Sequence, residues 1–158
     1  MISLNPDRLS IFNYAHLPLR FKSQALMREE TFPSPETKLA IFVNSANRLS
    51  QAGYQYIGMD HFAKPYDSLS KAQNEGNLHR NFQGYSIDGD ADLLGFGVSA
   101  ISQIDNIYCQ NFDLTKTYEA SLSINELPLY RGLTLSPDDE IRRWVISKLM
   151  CHKHIDLS

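Results

Sequence analysis

The chain has 158 residues, with 15 lysines and arginines against 18 aspartates and glutamates and a formal net charge of −3. Hydrophobic residues make up 42% and there are two cysteines, so a domain-sized core is within reach and a disulfide scaffold is not. The charge leaves no basic surplus for non-specific nucleic-acid binding, and no apolar run approaches the roughly 18 residues of a membrane span. The opening MISLNPDRLS lacks a signal-peptide pattern. The expectation is a soluble, cytoplasmic, globular chain.

In chain order, LSIFNY (9–14) reads as a buried strand, which needs neighbours on both sides. Either later strands pair with it, or its partners lie on a longer chain. Ser34-Pro35-Glu36 supplies an N-cap, a first-turn proline and an acid suited to a helix N-terminus. Leu39, Phe42, Val43, Ala46 and Leu49 then share one helical face, and Gly53 closes the run. YQYIGM (54–59) alternates as a strand, and HFAKPYD (61–67) leads into a short polar helix from Asp67 to Glu75, stopped by Gly76. NLHRNFQGYSIDGDAD (77–92) is loop-like.

LLGFGVSAIS (93–102) is apolar and glycine-interrupted, and NIYCQN (106–111) can pair with it as a hairpin. DLTKTYEASLSIN (113–125) reads as a helix capped by Asp113, and LPLYRGLTL (127–135) as extended. Ser136-Pro137-Asp138-Asp139-Glu140 opens a last helix, whose expected buried stripe is Ile141, Trp144, Val145 and Leu149. The class is α+β.

Four stretches carry candidate chemistry. MDHFAKP (59–65) holds Asp60, His61 and Lys64, but on a strand Asp60 and His61 face opposite ways, so a packing role is favoured over an acid–base dyad. LHRNFQGYS (78–86) sets His79, Arg80, Asn81 and Gln83 around Phe82 and Tyr85. Such a loop suits a flat, carboxylate-bearing ligand, and its composition equally suits an ordinary ordered loop. GFGVSAIS (95–102) lets backbone approach a ligand or a packed neighbour, and it is neither a dinucleotide fingerprint nor a P-loop. Cys151, His152 and His154 have a metal-like spacing without a second ligand pair, which favours a solvated helix end.

Several of these strings carry a resemblance. LNPDRLSIFNYAHLP (4–18), GYQYIGMDHFAKP (53–65), LHRNFQGYS (78–86), DADLLGFGVSAIS (90–102) and RGLTLSPDDEIRRWVISKLMC (131–151) together resemble the oxygen-independent coproporphyrinogen III oxidases. The resemblance implies a radical S-adenosylmethionine enzyme with a [4Fe-4S] cluster and two bound S-adenosylmethionines. Its substrate is coproporphyrinogen III, two of whose propionates become vinyls to give protoporphyrinogen IX. It further implies that residues 1–33 hold the last strand of a partial (β/α) barrel. Residues 34–158 then form a mixed helix and antiparallel-strand C-terminal cover domain, truncated at its end.

Matched onto the family's strings, Ala15 of FNYAHLP contacts the cluster-bound S-adenosylmethionine. Ile101 of GVSAIS contacts the second one, and Gln83 of NFQGY lies at the same pocket. Arg80 is a propionate partner on chemistry alone. The family's C-x3-C-x2-C cluster motif is absent, and Cys109 and Cys151 fall outside it. The chain alone is therefore expected to be inactive and to need a missing N-terminal half. The alternatives are a non-catalytic remnant and the haem-chaperone branch, whose strings differ. LSIFNY is expected to leave an exposed edge if the chain folds by itself.

Overall fold

Short antiparallel ladders and four α-helices make up the computed structural model, which describes residues 2–89 and 91–155. Met1, Asp90 of the DADLLGFGVSAIS string and residues 156–158 lie outside the described residues. The chain divides into two compact units, one running to Glu75 and one from Gly76. The boundary expected between residues 33 and 34 falls inside the first.

In the first unit, strand β1 (Arg8–Ser10) pairs antiparallel with β3 (His61–Ala63), which also pairs with β2 (Gln55–Gly58), in the order β1-β3-β2. Helix α1 (Pro35–Gln51) precedes β2, and α2 (Ser68–Glu75) follows β3. The sequence reasoning for α1 holds at its ends. The Ser34 hydroxyl accepts the Thr37 N–H, Pro35 sits in the first turn, and Gly53 takes the positive φ of 81° that turns the chain out of the helix. Phe62, 1% exposed, packs with Leu49 and Tyr54, and Leu9, Ile11 and Ala46 close around them. The Tyr54 hydroxyl donates to the Pro6 carbonyl at 2.6 Å, and the Lys64 ammonium lies 3.8 Å from the Tyr54 ring centre.

Two expectations are corrected here. LSIFNY is a strand only at its beginning, because Ser10 pairs with His61 and the partner then turns away through Met59 and Asp60. Beyond the Ile11 N–H, which donates to the Asp60 carbonyl, no ladder remains, and Phe12 is left 79% exposed. β1 is the edge of its sheet, as expected of that run. The apolar face of α1 is buried at Leu49 and half-buried at Phe42 and Ala46, while Leu39 and Val43 are exposed, because the sheet reaches only the helix's last turns.

In the second unit the stretch read as a loop contains a hairpin, β4 (His79–Asn81) with β5 (Gly84–Ser86). Its strands are three residues long, too short for alternation to show, and its turn ends on Gly84 at φ 130°. The expected hairpin forms from only the end of LLGFGVSAIS: β6 (Ile101–Ile104) pairs with β7 (Ile107–Asn111), the residues from Leu94 to Ala100 are irregular, and β8 (Leu129–Thr134) joins β7 on the other side. Helix α3 (Thr115–Ser123) lies between β7 and β8, and Leu114, not Asp113, occupies its cap without a side-chain bond.

Helix α4 (Pro137–His152) opens on the full capping box of Ser136 and Asp139. Most of its expected stripe is not its buried face: Ile141, Trp144 and Leu149 are exposed, Val145 is half-buried, and Cys151 is buried. The helix packs on β4, and the Tyr85 hydroxyl donates to the Met150 carbonyl at 3.0 Å, which fixes a different face inward.

Candidate functional site

The β4–β5 hairpin, β6–β7 and α4 enclose two adjoining grooves that share Arg80, Asn81, Gln103, Tyr108, Arg143 and Ser147. The first, about 590 Å³, is polar, with His79, Asp88, Asp92, Glu140, Lys148 and His152 among its walls. Trp144 also lines it. The second, about 580 Å³, runs along Phe82, Leu135, Ile146 and Met150, with Arg142 and Asp139 at its rim. Both volumes fall inside the roughly 300–1,000 Å³ of small-molecule sites.

The geometry follows from local structure. The turn Phe82–Gln83 projects Phe82 edge-on against Tyr108, with ring centres 5.2 Å apart and planes at 85°. Arg80 lies over the Tyr85 ring at 5.8 Å and makes no hydrogen bond to another described residue. Arg142 and Arg143 are successive residues of α4. The first pairs through Nε with Asp138 at 2.7 Å, and the second donates through Nη1 to the Asp105 carbonyl at 3.0 Å. The Ser136 hydroxyl and N–H both donate to Asp139, which holds that carboxyl below the usual range. Burial, with Lys148, His79 and His154 nearby, keeps the His152 imidazole below its ordinary value.

Of the residues singled out from sequence, Arg80 lines both grooves. Gln83 shares its hairpin but lines neither. Its side chain is exposed, and its N–H donates to Asn81 Oδ1 at 2.9 Å. Ile101 is half-buried at the start of β6, opposite Gln110. Ala15 belongs to the first unit, exposed, with its carbonyl accepting from Gln24 Nε2 at 3.3 Å.

The GFGVSAIS segment makes its close approach to its own chain. A Cβ on Gly95 would lie 2.7 Å from the Ile101 carbonyl oxygen. Asn111 Nδ2 donates to the Gly95 and Gly97 carbonyls, and the Gly95 N–H donates to Ser102 Oγ. This loop is braced, and sequence reasoning did not single out its brace, Asn111.

Asp60 and His61 do touch, Nδ1 to Oδ1 at 3.2 Å, contrary to the strand argument, because Asp60 occupies the turn before β3. The Ser10 hydroxyl donates to the other carboxylate oxygen. At the chain's last helix, burial pushes the Cys151 thiol up, and His154 Nδ1 donates to the His152 carbonyl. No group of three histidines, cysteines, aspartates or glutamates among the described residues is arranged to hold a metal. Cys109 is half-buried on β7 and Cys151 buried in α4, and two thiols are fewer than the thiolates that hold a [4Fe-4S] cluster. Sequence reasoning also passed over Arg142, Arg143 and Tyr108, although the consecutive arginines were legible in EIRRW.

No protein-family model matches the chain. A solved structure described as a radical SAM enzyme superposes with a TM-score of 0.93 at 52% identity, covering 98% of this chain and 36% of that one. The fold is thus that of a mixed α+β portion of that solved structure. That structure is coproporphyrinogen III oxidase from Escherichia coli. Curated oxygen-independent coproporphyrinogen III oxidases match over nearly the whole chain. The Pseudomonas aeruginosa protein is 51% identical over 152 residues, covering 96% of this chain and 33% of the relative. The Escherichia coli protein is 53% identical over 153 residues, covering 97% and 34%, and the Synechocystis protein is 47% identical over 148 residues, covering 94% and 32%. The chain is similar over nearly its whole length to these oxygen-independent coproporphyrinogen III oxidases and spans about a third of their length.

Proposed function

We propose that this chain is the C-terminal part of an oxygen-independent coproporphyrinogen III oxidase, which converts two propionates of coproporphyrinogen III to vinyls. The observation that carries this reading is identity of 51–53% to two such enzymes over nearly the whole chain, joined to a backbone match at TM-score 0.93. In this reading residues 1–33 belong with the catalytic barrel and 34–158 cover it. When bound, S-adenosylmethionine and the cluster supply the radical chemistry, and the thiolates come from outside this chain. Cys109 and Cys151 take no part in holding iron. The chain works in the cytoplasm, and by itself it is inactive.

Ala15, Gln83 and Ile101 are the S-adenosylmethionine contacts. Their chemistry fits that task. A small residue in a loop leaves room for the ligand, a primary amide both donates to and accepts from a purine edge, and a branched aliphatic packs on its ring. The braced loop before Ile101 holds that side chain in place, since Asn111 and Ser102 satisfy the backbone around Gly95. Gln83 is exposed on a tight turn, free to meet a ligand presented from outside this unit.

The test is a fusion of the chain to the two-thirds of the Escherichia coli enzyme that it lacks, assayed anaerobically for coproporphyrinogen III decarboxylation after reconstitution with iron and sulfide. The fusion is expected to turn over, and the chain alone to show neither cluster absorbance nor activity. Gln83→Ala or Ile101→Asp in the fusion should lower turnover by about tenfold or more through misplaced S-adenosylmethionine. A folded, cluster-loaded fusion without decarboxylation would overturn the reading.

A further inference from the structure

The apolar groove beneath the hairpin tip has a charge pattern that the S-adenosylmethionine assignment does not use. Three guanidinium groups line it, those of Arg80, Arg142 and Arg143, against one lining carboxylate, Asp139. Asp139 is committed to the cap of α4, where Ser136 donates to it twice. Asp138 engages only Nε of Arg142, and Asp105 takes only Nη1 of Arg143. Among the described residues the Arg80 side chain makes no hydrogen bond and lies over the Tyr85 ring. Donors therefore remain at all three arginines, above a floor of Phe82, Tyr108 and Ile146.

A guanidinium fork matches a carboxylate in two parallel bonds, and aromatic faces and edges take a flat apolar body. A single phosphate or a short acid would leave that floor wet, and an uncharged hydrophobe would leave the forks without partners. We propose that this groove is a carboxylate-anchoring site, in which Arg80, Arg142 and Arg143 hold acid side chains of a flat tetrapyrrole whose ring lies against Phe82 and Tyr108. The inference rests on the proposed function, since it supplies that reading with a substrate-recognition surface on this chain. It adds Arg142 and Arg143 as specificity residues.

The chain contains a single tryptophan, Trp144, on the wall of the adjoining groove, which serves as a reporter. The experiment titrates the intact chain with coproporphyrin III, the stable oxidised tetra-acid, and with its tetramethyl ester, following Trp144 quenching. The tetra-acid should bind at least about tenfold more tightly than the ester, and Arg80→Gln, Arg142→Gln or Arg143→Gln should each weaken it about tenfold. Arg143→Lys keeps the charge without the fork and should recover part of that loss, and circular dichroism checks that each variant is folded. Equal binding of acid and ester, or arginine variants that bind like the unaltered chain, would overturn the inference. In the fusion enzyme Arg143→Gln should raise KM with kcat unchanged. An active fusion with unmoved KM in all three variants removes the groove and leaves the proposed function standing. An inactive fusion beside arginine-dependent binding by the chain removes the function and leaves the groove.

Discussion

The two units are held together by different means. The unit ending at Glu75 is organised around apolar burial. Ile57, Phe62 and Ala63 are fully enclosed, and Leu49, Tyr54, Leu69 and Ala72 are nearly so. The unit beginning at Gly76 has fewer buried apolar residues and relies on directed polar contacts. Asn111 and Ser102 are buried and brace the loop around Gly95, and Tyr85 ties β5 to α4 through the Met150 carbonyl. Apolar burial is non-directional and rewards filling all space, whereas a few aimed hydrogen bonds fix a shape without filling it. The two grooves lie in this second unit, and its arginines line them.

Three measurements sharpen or break that contrast. Phe62→Ala should cost about 3–5 kcal/mol by cavity formation. Hydrogen exchange should then show protection lost across β2 and β3 and kept in β6 and β7, and loss in both units together would break the contrast. Asn111→Ala should cost about 1–3 kcal/mol, because it strips the Gly95 and Gly97 carbonyls of their donor in a buried setting. Here the protection change should centre on the loop before β6. Should the same substitution leave that loop's amides unchanged, the polar brace is not what holds it.

The smallest effect belongs to Asp60 in the first unit. Partial burial pushes its carboxyl up, but the Ser10 hydroxyl, His61 and a backbone N–H outweigh that and hold it below the ordinary aspartate range. The folded state therefore binds its proton less readily than the unfolded chain. The stability this adds is present above the ordinary aspartate value and lost as pH falls through the lowered one. Ser10→Ala should cost about 0.5–1 kcal/mol at neutral pH and move acid unfolding of the β1–β3 pair to higher pH. An acid-unfolding midpoint that stays put would show that the Ser10 bond does not set the Asp60 titration.

Helix starts were the most legible features. Ser34 with Pro35, and Ser136 with Pro137 and Asp139, cap their helices as their spacing implies, because a cap is a contact within one turn. Which face of those helices is buried was not legible. The Ile141, Trp144 and Leu149 stripe has helical spacing, but α4 turns Cys151 and Met150 toward the hairpin instead. A period marks that a stripe exists, and only a neighbouring element decides whether it is covered. The hairpin at His79–Ser86 was hidden for the same reason. Three-residue strands carry no readable alternation, and their pairing depends on α4 lying against β4.

The candidate site divides along the same line. Arg80 and Gln83 were visible as a cluster of polar residues around aromatics, and the strings of the resemblance pointed to Ala15, Gln83 and Ile101. The grooves were not visible, since Tyr108, Arg142 and Arg143 come from a strand and a helix far along the chain. By itself the sequence determined the resemblance to the oxygen-independent coproporphyrinogen III oxidases, the caps of α1 and α4 and the lack of a C-x3-C-x2-C string. All of these are fixed by local chemistry or by residue identity at a position. The tertiary structure decided that Asp60 turns to meet His61, that Gly95 makes room for the chain's own backbone, and that three arginines share one apolar groove. Each of those is a meeting of groups separated by a turn, a strand or a helix, and burial and hydrogen bonding bring them together only once the chain has folded.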